Sequence, residues 1–165
     1  MNSRPRIKIL LTRTDWLLET VAWLLFVLFL TLVFIKYSNL PKQLPVHFNM
    51  QGLPDAYGSR KHLFHSAVLG SLLFLLLSVI THFPHRFNYA VAITETNAGR
   101  QYFLAVRLIR ALKPLIAADF LVIALTMTGL VKGLGNYFSS ITILAAAAML
   151  GTVAVYLYFS FKARD

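Results

Sequence analysis

The side chains with the richest chemistry crowd into residues 47–65, where His47, Asn49, Asp55, Arg60, His62 and His65 stand close together in the chain. Neutral imidazoles and a carboxylate are nitrogen and oxygen donors of the kind zinc and related metals accept. His47, Asp55, His62 and His65 are therefore weak candidates for a metal site, with His62 and His65 one helical turn apart. No pair of them has the His-Glu-x-x-His spacing, and the plainer reading is that His47 and Asp55 hydrogen-bond the loop backbone while His62 and His65 sit at the interface. The expectation is no metal and no cofactor. His82 and His85 read as interfacial. The chain has 0 Cys, which excludes disulfides, thiolate sites and cysteine nucleophiles. It also lacks a Gly-x-Ser-x-Gly elbow and a glycine-rich phosphate loop. No catalytic set emerges, so the expectation is a protein that is not an enzyme.

Two acids interrupt apolar runs. Glu19 lies near the start of the first run and Asp119 near the start of the third. Acids inside a membrane are costly and often functional. Counted from the run ends, both sit about one to one and a half turns inside one face. Pairing with Arg107, Arg110 or Lys113 is the plain reading, and an ion or proton path is the other.

These groups are carried by a chain of 165 residues that is 58% hydrophobic and 13% charged, with a mean hydropathy of +0.66. Soluble domains have about 45–50% apolar and about 25% charged residues. The composition excludes a soluble enzyme domain, a disordered chain and a collagen-like repeat. Four runs are long enough to cross a bilayer: Trp16–Tyr37, Leu63–Phe83, Pro114–Val131 and Ile141–Phe161. The fold expected is an all-α integral membrane protein of four transmembrane helices, one membrane domain over residues 1–165. The first run is too long for a signal-peptide core, and no Ala-x-Ala-like site follows it, so it reads as a retained helix.

The net charge of +10 would suggest nucleic acid in a soluble protein. Here the basic residues flank apolar runs, and the partner expected is the lipid bilayer, with no nucleic acid. Eleven Lys and Arg fall on the side of the two termini and the second connection. Five (Lys36, Lys42, Arg60, Lys61 and Lys132) fall on the other. The positive-inside rule then puts both termini in the cytoplasm and residues 38–62 and 132–140 outside. In the second connection, residues 96–113 have helical spacing, and Arg100, Arg107 and Arg110 share one face. With Lys113 they suit lipid headgroups, in an interfacial amphipathic helix that Thr94 or Asn97 can cap. Pro114 would then begin the third span with a bend.

The outer stretch 38–62 is longer than a plain connector requires, so it reads as an ordered cap. Val46 and Phe48 alternate around His47, suggesting a short extended piece. Residues 49–52 and 53–55 read as turns. Gly58 could supply a positive φ or a close approach, and Phe48 and Tyr57 are the apolar anchors. His47, Asn49, Gly52, Asp55, Gly58 and Arg60 are the candidate binding residues, the two glycines shaping the loop and the others making polar contacts.

The run Pro45-x-His47-Phe48-Asn49-x-x-Gly52-x-Pro54-Asp55-x-Tyr57-Gly58-Ser59-Arg60 resembles the signature loop of a bacterial membrane domain of unknown function. That domain also forms the front part of SdpI-type immunity proteins, which protect cells from a secreted toxin. Arg60 stands where lysine is expected. Asn88, Ile93-Thr94-Glu95, Asn97 and Gln101-Tyr102 are similar to the cytoplasmic stretch that follows the second span there. The resemblance covers about Pro41 to Leu112. It implies the bacterial cytoplasmic (inner) membrane and a role in recognition, sensing, immunity-like protection, or accessory service in a membrane complex. A small transporter or ion-coupled channel is the alternative. On the last run, Ala145, Ala148, Gly151 and Thr152 make a small-residue face that suits close packing, within the chain or in a homo-oligomer or partner complex.

Overall fold

The computed structural model describes residues 4–131 and 133–164; Lys132 lies outside the described residues. The elements run α1 (Arg13–Tyr37), β1 (Gln43–Phe48), β2 (Pro54–Ser59), α2 (Lys61–Ile80), a 3-10 turn (Pro84–Arg86), α3 (Ala98–Thr128) and α4 (Gly135–Lys162). The chain is mostly helical, with a two-stranded antiparallel sheet where an ordered cap with one short extended piece was expected. Three helices, α1, α2 and α4, are long and apolar enough to cross a membrane.

α1 starts where a reciprocal cap satisfies its first amides: the Asp15 carboxylate accepts from the Thr12 amide and hydroxyl, and Thr12 Oγ1 accepts from the Asp15 amide. α3 is the principal correction to the sequence reading. The interfacial helix expected at 96–113 and the span expected from Pro114 are one continuous helix of 31 residues with Pro114 inside it. Proline removes one helical hydrogen bond. Here α3 packs against α1, α2 and α4, and packing overrides that loss. Gly129, at φ 62°, ends the helix in the left-handed conformation that glycine adopts without strain.

α1 and α3 run side by side in parallel. Asp15 meets Arg107, Glu19 meets Arg110 and Lys113, and Phe29 meets Phe120. Among the described residues the core includes Ala22, Phe26, Phe29 and Val33 of α1 against Leu63, Ala67 and Phe74 of α2 and Ala117, Leu121 and Ala124 of α3, with Leu44 of β1 joining it. Small residues let the backbones approach, and van der Waals contact then holds the helices together in lipid. Phe26 and Phe74 stack with centroids 4.2 Å apart and planes within 3°. α4 stands apart. It contributes Ser160 to the buried set, and most of its apolar side chains face outward.

Candidate functional site

The stretch after α1 folds as a β-hairpin because its two extended runs are joined by a side-chain-built turn. Asn49 Oδ1 accepts from the Gln51 and Leu53 amides at 3.0 Å each, and the backbones of Asn49 and Leu53 pair. Gly52, at φ 76°, completes the turn. Of the expected turn at 53–55, Pro54 and Asp55 instead begin β2, and the register slips at Val46 and again at Asp55. Phe48 anchors the tip on Phe138 of α4, with ring centroids 5.1 Å apart, and Ser139 donates to the Asn49 carbonyl. Tyr57 is not an anchor, being 63% exposed, because it lies on the strand face turned away from the helices.

The six candidate binding residues therefore separate by environment. Asn49 and Gly52 form the turn. Gly58 provides a close approach rather than a positive φ, since a Cβ there would lie 3.0 Å from both His62 and Val46. Arg60 Nη1 reaches the carbonyls of Tyr37, Ser38 and Leu40 at 3.2–3.5 Å, and its guanidinium covers the Tyr37 ring. It closes the C-terminal end of α1, where cations and donors are favoured. His47 and Asp55 face outward. His47 Nδ1 and Asp55 Oδ1 are 2.5 Å apart, with the side chains 68% and 43% exposed. This cross-strand pair is the part of the candidate set that an external molecule can reach. Of the weak metal candidates, His47 is engaged by Asp55 and His62 Nδ1 lies 2.8 Å from the Ser59 carbonyl. His65 packs edge-on to the His62 ring. Among the described residues no three His, Asp or Glu side chains converge as a metal-ligand group.

At the opposite, basic end the arginines do more than face outward. Arg107 donates to Asp15 and Thr12 and lies over the Phe103 ring. Arg110 and Lys113 share Glu19, at 3.3 and 2.6 Å. Lys113 is only 1% exposed and is sandwiched near the rings of Phe74 and Trp23. Its expected headgroup role is thus corrected, because an ammonium buried among rings and a carboxylate is out of reach of a lipid phosphate. Arg100 is exposed. Sequence reasoning missed Asp15, although Thr12-x-x-Asp15 ahead of an apolar run is a cap signature that could have found it.

The second connection is tied down by its amides. Thr94 and Asn97 bond reciprocally, and Asn97 Nδ2 donates to the carbonyls of Ala92 and Arg164. Gln101 is fully buried and donates to the carbonyls of Ser160 and Ala163, while Ser160 Oγ donates back to it. These bonds satisfy the end of α4. Tyr89 stacks on Tyr102 and donates to the Pro84 carbonyl. Burial, with the neighbouring Tyr102 adding to it, holds the Tyr89 phenol above its ordinary range, so it remains a donor.

Glu19 has the basic partners expected for an intramembrane acid, but Asp119 does not. The α1–α3 register places Asp119 level with the turn before Phe29, about halfway along α1 and about 20 Å from its start. Counting from Pro114 made it too shallow, because α3 begins at Ala98. Asp119 Oδ1 is buried with no hydrogen-bond partner among the described residues. Such a group is destabilising, so Asp119→Leu is expected to raise stability by about 1–3 kcal/mol. Thermal unfolding in detergent checks this, and a lower melting temperature would mean that the carboxyl has a stabilising partner.

Fold and site together define a helical protein of membrane type, with an outward-facing hairpin at one end and an ion-paired basic cluster at the other. A family model described as Domain of unknown function (DUF1648) matches residues 24–70. That segment takes in the second half of α1, the hairpin and the first half of α2. No match was found among curated proteins or among solved structures.

Proposed function

We propose that the protein is a non-enzymatic, four-span protein of the bacterial cytoplasmic membrane that recognises a molecule outside the cell through its hairpin. α3 serves as the third span in this reading, parallel to α1 as an alternating topology requires. Both termini then lie in the cytoplasm. The observation that carries the reading is the exposed His47–Asp55 pair on a hairpin clamped to α1 by Arg60 and to α4 by Phe48 and Ser139. A rigid support under an exposed polar pair is what a recognition surface needs. The resemblance of 45–60 to the SdpI-type loop supports sensing or toxin-immunity-like protection, or an accessory role in a complex. Ala148 and Gly151 are exposed on α4, which leaves that face available for a second copy or a membrane partner.

A photo-crosslinking residue in place of Tyr57, in living cells, tests this. A discrete adduct is expected, weakened several-fold by His47→Ala. His47→Ala itself should change stability by less than about 1 kcal/mol, as exposed pairs contribute little. No adduct, or one indifferent to His47→Ala, would remove the reading.

A small transporter or ion-coupled channel is the second reading, favoured by Asp119 halfway along the bundle, whose Oδ1 is buried without a partner among the described residues. Proton or ion flux into liposomes that Asp119→Asn abolishes would support it. Equal flux in both proteins would count against it.

A further inference from the structure

At the basic end, a groove of about 570 Å³ opens sideways between the first half of α1 and the last turn of α2, with α3 as its floor. A second recess of about 610 Å³ shares Leu11, Trp16, Thr81, His82 and Arg110 with it and extends toward Lys8. The long wall is apolar: Trp23, Leu24 and Val27 follow one another along α1 and are exposed on the lateral surface. The head of the groove is cationic. Arg110 and Lys113 line it with Glu19 as the acid between them, and Lys8 and His82 line the adjoining recess together with Arg110. Glu19 offsets one of the two cations, the buried Lys113 and the partly exposed Arg110, so the head keeps a positive excess. Among the described residues Arg110 is engaged only through Nε, toward Glu19, which leaves its terminal nitrogens available to an anion.

A cationic head joined to a lateral apolar furrow has the chemistry of one ligand class. We propose that this groove is a site for an anionic phospholipid, with its phosphate at Arg110 and Lys8 and an acyl chain lying along Trp23, Leu24 and Val27. Guanidinium groups suit phosphate oxygens geometrically. The furrow matches a chain because it runs parallel to α1, the direction in which acyl chains lie in a bilayer. Trp16 lines the outer end of the groove, one helical turn before Glu19, the position indole rings favour at a membrane surface. The site is independent of the hairpin and of whatever the hairpin recognises.

The chain has 2 tryptophans, and both Trp16 and Trp23 line this groove, so their fluorescence reports on it. The protein is reconstituted in mixed bilayers of phosphatidylglycerol and phosphatidylcholine, with one or the other brominated in its acyl chains. Brominated phosphatidylglycerol is expected to quench at a mole fraction about fivefold lower than brominated phosphatidylcholine, the scale that one basic contact supplies. Arg110→Gln should bring the two lipids to near parity, and Lys8→Gln should narrow the difference. Circular dichroism establishes that each variant is helical. If Arg110→Gln does not fold, Lys8→Gln on the exposed N-terminal segment carries the comparison. Equal quenching by both lipids in the native protein would overturn the proposal, as would a preference that Lys8→Gln leaves unchanged. A preference that added inorganic phosphate abolishes would also overturn it, by showing that the site reads the free anion rather than a lipid.

Discussion

Glu19→Gln is expected to be the most damaging single change in the bundle, lowering stability by about 3–5 kcal/mol. Glu19 is the carboxylate within reach of both Arg110 and Lys113. Lys113 is buried, and its remaining neighbours are the faces of Phe74 and Trp23. A ring face attracts an ammonium by about 0.5–2 kcal/mol, well short of what a desolvated charge requires. Removing the carboxylate therefore leaves a cation stranded inside the helix interface. The paired variant Glu19→Gln/Lys113→Met should recover more than half of the loss, because methionine fills the slot without a charge and Arg110 retains some exposure. Thermal unfolding of the three proteins in one detergent gives the comparison. A double variant no more stable than Glu19→Gln would mean that the cost comes from lost packing, and the account of Lys113 as a buried charge would fail.

The same cluster shows what could and could not be read from the chain. Hydropathy alone located α1, α2 and α4, because a run that must exclude water along its whole length leaves a continuous apolar signal. It divided α3 in two, because the basic residues of its first half and Pro114 resemble an interfacial segment followed by a break. What makes α3 one helix is non-local. Asp15 and Glu19, more than ninety residues earlier in the chain, neutralise the basic face and allow it to pack against α1. Intervals of that length leave no periodicity to detect.

The residues that carried the loop resemblance show a related limit. In the sequence Arg60 reads as a candidate binding residue and Gln101 only as part of the resemblance after the second span, neither of them as a cap. Each satisfies carbonyls at or just past a helix end that are remote in sequence, Arg60 those of Tyr37, Ser38 and Leu40 and Gln101 those of Ser160 and Ala163. In an apolar surrounding an unsatisfied carbonyl is expensive, so a side chain delivered from another element closes the helix end. The loop motif thus mixes residues that hold the scaffold, such as Asn49, Gly52 and Arg60, with residues left facing outward, such as His47 and Asp55. Only the folded geometry separates the two kinds.

Gly52 tests how firmly that scaffold is held. Its φ of 76° is unfavourable for any residue with a Cβ, and the added Cβ of alanine would fall 2.2 Å from the Gly135 carbonyl oxygen and 2.5 Å from the Asn136 Cα. Both are backbone atoms at the start of α4 and cannot rotate away as a side chain could. Gly52→Ala must therefore either distort the turn or lift the hairpin tip from α4, releasing the Phe48–Phe138 contact and the Ser139 bond to Asn49. Gly129→Ala is the matched control. Its φ is 62°, but its added Cβ would meet nothing within 4 Å, so it carries the backbone cost of about 1 kcal/mol alone. Hydrogen exchange at the amides of Asn49, Gly52 and Leu53, which are bonded within the turn, separates the two effects. In Gly52→Ala, positions 49, 52 and 53 should exchange about tenfold faster or more, and in Gly129→Ala they should be unchanged. If Gly52→Ala left their protection intact, the tip would not depend on its seat against α4, and the hairpin could not be the rigid platform on which the His47–Asp55 reading rests.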